Sequence, residues 1–314
     1  MRLTALSIAM VLAATSALAD SSTAPAPTAP AAKGSSILGA PATQSEIDQA
    51  RQYADCMNLA DSAPDKALEK AKAWQRKDGG APAGHCAAVA LVGLGRYKEA
   101  ASAMEKLALE ELKENKDLAA GLYGQAAQAW VLAADNTRAI KDETAAIALA
   151  PDNPDLLVDR GVILASTGKF WEAVDDFSKA HDMADRRADI LVFRATAYRM
   201  LKSFDLARDD LDRAIELQPK NPDAYLERGI VRMLVKDADG AKADWQKTVD
   251  FGPGTPAAQT AEANLKQLVA APAPAAAPQP SATAPATPAA PAQPAPEPPA
   301  AQPINPQLPL VPQQ

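Results

Sequence analysis

The chain predicts an all-α fold: a right-handed superhelical solenoid of about six helix-turn-helix pairs with a C-terminal capping helix. Three observations carry this. Asn-Pro-Asp-Leu-Leu-Val-Asp-Arg-Gly begins at Asn153 and Asn-Pro-Asp-Ala-Tyr-Leu-Glu-Arg-Gly at Asn221, two periods of 34 apart, and Arg194-Ala195 holds the Arg-Gly position halfway between. A fixed period of this length marks stacked helix pairs, none of which can bury its apolar face alone. Aromatic residues make up only 4% of the chain and alanine is abundant, which suits closely packed, regular helices.

The first segment reads as a targeting signal. Arg2 is the only charge before Asp20, Leu3 to Leu18 is mostly apolar, and Ala17-Leu18-Ala19 has the small-x-small form of a cleavage site. Residues 1–19 are expected to be removed. The alternative is an uncleaved anchor, but a spanning helix needs about 20 mostly apolar residues, and Thr4, Ser7, Thr15 and Ser16 interrupt this one. Residues 20–45, rich in Ala, Pro, Ser and Thr, read as a flexible leader. Export to the periplasm or beyond argues against nucleotide and cytosolic partners. A net charge of -7 offers no broad basic surface for nucleic acid.

Residues 46–270 hold the predicted helices. Glu46–Ala60 pairs with Pro64–Arg76, Pro82–Leu94 with Tyr97–Glu114, and Lys116–Ala134 with Thr137–Leu149. Pro154–Ser166 pairs with Trp171–His181, Ala188–Leu201 with Leu206–Leu217, and Pro222–Val235 with Ala238–Val249. Pro256–Leu268 follows alone, with Thr255 as its cap and proline in its first turn. It is expected to cover the apolar face of the last pair.

Residues 271–314 contain 15 of the 27 prolines and one charge, Glu297. Proline fixes its own dihedral and lacks a backbone donor, so this tail is expected to build no core and to sample extended conformations. It reads as a spacer, or as a docking segment centred on Ile304 to Pro312, or as a contact to a cell-wall polymer.

The helical region resembles the tetratricopeptide repeat family, most fully in the later pairs. Pair four carries Leu157, Gly161, Leu164, Gly168, Phe170, Ala173, Phe177 and Ala180, with Asp185 in place of the closing proline. Pair five carries Leu191, Ala195, Tyr198, Phe204, Ala207, Leu211, Ala214 and Pro219. Pair six carries Tyr225, Gly229, Ala241, Trp245 and Pro253, with Arg232 and Thr248 replacing a large residue and an alanine. Pair three fits through Tyr123, Ala127, Trp130, Ala139, Ala146 and Pro151. Pair two fits through Ala88, Leu91, Gly95, Tyr97, Ala100 and Met104, but its step to pair three is 39, which predicts a second helix extended through Glu110-Glu111-Leu112. Pair one rests on Ala67, Ala71 and Trp74. Small residues such as Gly161 and Gly229 are expected where two helices cross closely, and Phe177, Leu211 and Trp245 where the gap is wider.

The resemblance implies a protein-binding groove lined by the first helices. Carried onto this chain, the groove positions include Gln128, Val131, Val158, Val162, Val192, Thr196, Arg199, Leu226, Ile230 and Met233, mainly apolar with an acidic rim at Asp155, Asp189 and Asp223. The lysines and asparagines with which the family clamps chaperone tails are missing here. The expected partner is another envelope protein or peptide segment. The alternatives are a structural or self-associating protein whose own tail fills the groove, and a cell-wall-associated one acting through that tail.

Two further patterns stand out. Arg160, Arg194 and Arg228 recur at 34, and so do Asp176, Asp210 and Asp244. They read as a ladder of partly buried ion pairs that orders the stack, since arginine's planar fork suits a carboxylate; the other reading is an anion-binding row. Cys56 and Cys86, the only cysteines, read as a disulfide in an oxidising compartment. It would close a loop with a nominal stabilisation of about 3–4 kcal/mol. No catalytic motif, cofactor loop or four-ligand metal set is legible. His85 and His181 have no evident nucleophile or metal partner in the sequence.

Overall fold

The computed structural model describes residues 43–270, and the expected signal segment, most of the expected leader and the proline-rich tail lie outside them. Thirteen helices are found among the described residues. They are α1 (Gln44–Ser62), α2 (Pro64–Gln75), α3 (Gly80–Gly93), α4 (Tyr97–Glu111), α5 (Lys116–Leu132), α6 (Asn136–Leu149), α7 (Pro154–Ser166), α8 (Phe170–Met183), α9 (Ala188–Met200), α10 (Phe204–Leu217), α11 (Pro222–Leu234), α12 (Ala238–Phe251) and α13 (Pro256–Ala270). Each packs on its chain neighbours, and first helices also meet across repeats, as α1 meets α3 and α9 meets α11. The result is an all-α solenoid of six stacked pairs, with α13 covering α11 and α12.

Local chemistry sets the helix starts. Asn153 and Asn221, the heads of the repeated Asn-Pro-Asp motif, are N-caps whose side chains accept from the Asp155 and Asp223 amides at 3.0 Å. The proline that follows occupies the first helical position, where its missing donor costs nothing. Thr43 forms a capping box with Glu46, which starts α1 at Gln44, two residues earlier than expected. Within a pair the chain reverses through one left-handed residue. These are Gly95, Ala134, Gly168, Lys202 and Lys236, at φ between 59° and 82°.

The 39-residue step differs from expectation. α4 ends at Glu111 and has 15 residues, only one more than α8, α10 or α12. The remainder is an added N-terminal turn on α5, which has 17 residues against 13 in α7, α9 and α11. Four residues are close to one helical turn, so the inserted turn lengthens α5 without rotating its core face far.

The core runs through the stack as successive clusters between helices. A Cβ on Gly161 would lie 2.6 Å from the Phe177 ring, and one on Gly229 2.5 Å from Trp245. These close approaches require glycine. Phe177, Leu211 and Trp245 are all buried beneath such crossings. Thr248, where an alanine is usual, is fully buried, and its hydroxyl donates to the backbone carbonyls of Asp244 and Pro222.

Candidate functional site: the first-helix face and its ionic rungs

Each periodic arginine grips the periodic aspartate of its own pair. Arg160 donates to Asp176 through Nε and Nη2, both at 2.7 Å. Arg194 does the same to Asp210 at 2.8 and 2.7 Å, and Arg228 to Asp244 at 2.9 and 2.8 Å. The third nitrogen, Nη1, reaches back to the preceding second helix. It donates to Thr144 Oγ1 at 3.1 Å, Ser178 Oγ at 3.2 Å and Asp212 Oδ1 at 2.6 Å. One guanidinium therefore joins three helices. Arg232, in the place of a large apolar residue, adds a second cation to Asp244 at 2.9 Å and donates to the Gly240 carbonyl.

The first-helix face is less apolar than expected. Val158, Val192 and Leu226 are buried members of the core clusters. Their side chains pack among the buried residues of these clusters and leave little surface free. Gln128 is exposed, Val131, Val162, Thr196, Arg199 and Ile230 are half-buried, and Met233 retains 42% exposure beside exposed Leu234 and Val235. Thr196 donates to its own helix at the Val192 carbonyl, and Arg199 Nε donates to Glu227 Oε2 at 2.8 Å.

The rim is charged. Arg187 bridges Asp155 and Asp189, the two aspartates one repeat apart. Asp159, one turn on from Asp155, is pushed up to about 6, chiefly by burial, with Asp155 adding to the shift and Arg187 and a hydrogen bond from Gln128 opposing it. Burial also raises Asp223, helped by Glu227. Carboxylates held close together in partial burial favour the protonated form.

The first pair is fastened covalently. Cys56 of α1 and Cys86 of α3 form a disulfide, with Cα atoms 6.1 Å apart and both side chains fully buried. Next to it, His85 Nδ1 lies 2.8 Å from the Tyr53 hydroxyl and Nε2 lies 2.6 Å from Gln125 Oε1. A neutral imidazole satisfies both contacts, donating to Gln125 and accepting from Tyr53. Burial lowers the His85 pKa. His85 thus ties α1, α3 and α5 together, a role its sequence surroundings did not signal.

Sequence reasoning also missed a buried acidic cluster on α6. Asp142 stands one repeat before Asp176, and Glu143 one repeat before Phe177. Both are buried, and Asp142 Oδ2 and both Glu143 carboxyl oxygens lack hydrogen-bond partners. Glu143 is pushed up to about 9, first by burial, then by the Asp159 charge. Extending the period of 34 one step back was the signal that would have found them.

No group of three or more His, Cys, Asp or Glu side chains able to hold a metal is found among the described residues. None of their helices is long and apolar enough to cross a membrane. Two open surface depressions lie at turns, around Gln218–Asp223 and around Gly95–Glu99 with Leu132.

Residues 188–221 match the tetratricopeptide repeat model. No curated protein matches the chain. Among solved structures, the first such domain of human RPAP3 is 28% identical, with a TM-score of 0.36, and the match covers 38% of this chain and 94% of that one. YrrB, described as having an unusual peptide-binding site, is 18% identical, with a TM-score of 0.46 and coverage of 61% and 96%. A MamA double mutant is 16% identical, with a TM-score of 0.48 and coverage of 55% and 93%. The protein is an all-α repeat protein, and its α9, α10 and the turn to Asn221 form a repeat similar to the tetratricopeptide repeat.

Proposed function

We propose that this chain is an exported, non-catalytic scaffold that holds an extended segment of another envelope protein along its first-helix face. One observation carries the reading. The row Gln128, Val162, Thr196 and Ile230 stays open or half-open on four successive first helices, while the residues immediately before and after each member are buried. A second row, Val131, Ala165, Arg199 and Met233, runs beside it with the same partial exposure. Such strips, half-open and partly apolar on successive helices, are a surface that can receive an extended or helical segment.

The strips also suggest the size of the partner. Neighbouring helices lie about 10 Å apart, so four first helices span about 30 Å. An extended segment rising about 3.3 Å per residue covers this in about nine residues. Apolar Val162, Ile230 and Met233 would take its apolar side chains, and the charged rim its polar ones. The disulfide supports placement outside the reducing cytosol, as does the leading apolar segment.

The test is in-cell photocrosslinking of the full chain with a photoreactive residue at Thr196, at Met233, or at exposed Asp209 on α10 as a control. The expected result is the same envelope protein captured at the first two sites and absent at the third. Crosslinks only to residues 271–314 of the same chain, or only to a second copy, would overturn the scaffold reading.

A further inference from the structure

The ion-pair ladder contains one rung without its cation. Aspartates stand at 142, 176, 210 and 244, and all four are buried. Arginine precedes the last three by 16 residues. Ala126 holds that place before Asp142 and is fully buried. The acceptor behind each arginine is also periodic, at Thr144, Ser178 and Asp212. Across the 39-residue step the matching position is Glu105. Glu105 and Asp142 therefore flank an empty guanidinium position in the way that Asp212 and Asp244 flank Arg228.

The substitutes for arginine at this place are weak. Trp130 Nε1 donates to Glu105 Oε1 at 3.2 Å and also favours the charged form of Asp142, the weakest of the influences on that group. Lys141 acts on Asp142 only by its charge, and Tyr123 of α5 faces both acids. Glu143 lies next to Asp142 and adds a carboxyl rather than a cation, with Asp159 and Arg160 acting on it from α7. Asp142 Oδ2 has no partner. Two carboxyls brought together in a buried site cannot both ionise without a counter-charge.

We propose that a proton replaces the missing arginine, held between the Glu105 and Asp142 carboxyls, and that it makes the junction of pairs two and three respond to pH as the arginine-filled junctions do not. When pH rises, the proton leaves to water and two facing carboxylates remain. The junction then loosens, while the guanidinium rungs of pairs four to six keep their charge. The Asp142 carboxyl is held up to about 7 by burial and then by Glu105, in keeping with this geometry. Its folded value exceeds the unfolded one, so the stability it confers is complete in acid and is lost as pH rises through about 7.

The test uses the full chain with Glu143→Gln, which removes the neighbouring buried acid, compared with Glu143→Gln/Asp142→Asn. Urea unfolding is followed from pH 5 to 9. In the single variant the folding constant is expected to fall by up to about tenfold per pH unit until about pH 7, one proton's worth of linkage. In the double variant that component vanishes, and Asp159 contributes equally to both arms. If the asparagine variant does not fold, Glu105→Gln removes the facing acid and is expected to move the pH-dependent component to lower pH, since burial alone then holds the Asp142 proton. A second readout is the carboxylic-acid C=O stretch in the infrared spectrum of the single variant minus that of the double variant, which cancels Asp159, expected as a band at pH 6 and absent at pH 9. Equal pH slopes in the two proteins, or no such band at pH 6, would overturn the proposal.

Discussion

Pairs four to six and pairs one to three solve the same packing problem with different chemistry. In the later pairs an arginine at a fixed place joins three helices and a buried aspartate accepts its fork. In the earlier pairs that arginine is absent. A disulfide, a Tyr53–His85–Gln125 chain and a group of buried acids stand in its place. The ionic half keeps its charges over a wide pH range, because arginine stays protonated. The other half depends on an oxidised cysteine pair, a neutral histidine and protonated carboxyls, each set by the surroundings. A stack of one repeat type can therefore hold a robust end and a conditional end.

The largest expected effect breaks the covalent link. Cys56→Ser/Cys86→Ser is expected to cost about 3–4 kcal/mol, measured by urea unfolding. Limited proteolysis is expected to open α1 and α2 first and to leave α7 to α12 protected. Uniform digestion would mean that the two halves do not differ in the way described here.

Breaking a rung comes next. Arg194→Ala leaves Asp210 buried without its partner and is expected to cost about 2–3 kcal/mol, less than for a fully buried pair because the arginine head keeps some contact with water. Asp210→Asn in the same background should recover part of the loss by removing the stranded charge. No recovery would show that the cost is lost arginine packing instead.

The buried acid of pair three gives an effect of opposite sign. Glu143 occupies the position of Phe177, Leu211 and Trp245, so Glu143→Leu is expected to stabilise the fold by about 1–3 kcal/mol. The gain should grow with pH. A raised carboxyl contributes fully below its unfolded value and loses that contribution as pH climbs toward about 9. His85 acts in the other direction. Its lowered pKa means that its contribution is present above the usual imidazole range and is lost as pH falls below it. His85→Gln should therefore flatten the acid limb of a melting-temperature profile and leave the alkaline limb unchanged.

The smallest effect lies in the turns, where both halves are alike. Lys202 and Lys236 sit at φ of 61° and 69°, where the equivalent residue of pair four is Gly168. Lys202→Gly is expected to stabilise by about 0.5–1 kcal/mol, the relieved left-handed penalty less glycine's added chain entropy. Thermal melts are sensitive enough to detect it.

Much of the fold was legible because a repeat shows its core in its spacing. Gly161 and Gly229 announced close crossings, the Asn-Pro-Asp motif announced helix starts, and the isolated pair of cysteines announced a disulfide. The groove was less legible. Val158, Val192 and Leu226 have the residue types of an apolar groove, and how far neighbouring helices close over them depends on packing that residue type does not report. The buried acids were hidden for a related reason. Asp142 and Glu143 look like surface residues on a polar helix until the neighbouring pairs close over them.

The sequence by itself determined the helix pairs, their period, the cap chemistry and the redox pairing, because these depend on residues near in the chain or on a strict repeat. Only the tertiary structure decided which half-apolar positions stay open, which acid meets an arginine, and where the extra turn of the 39-residue step resides. Those outcomes depend on burial and on charges from other helices. An aspartate beside Arg228 and an aspartate facing Glu105 are the same residue in the sequence and carry opposite protonation demands in the fold.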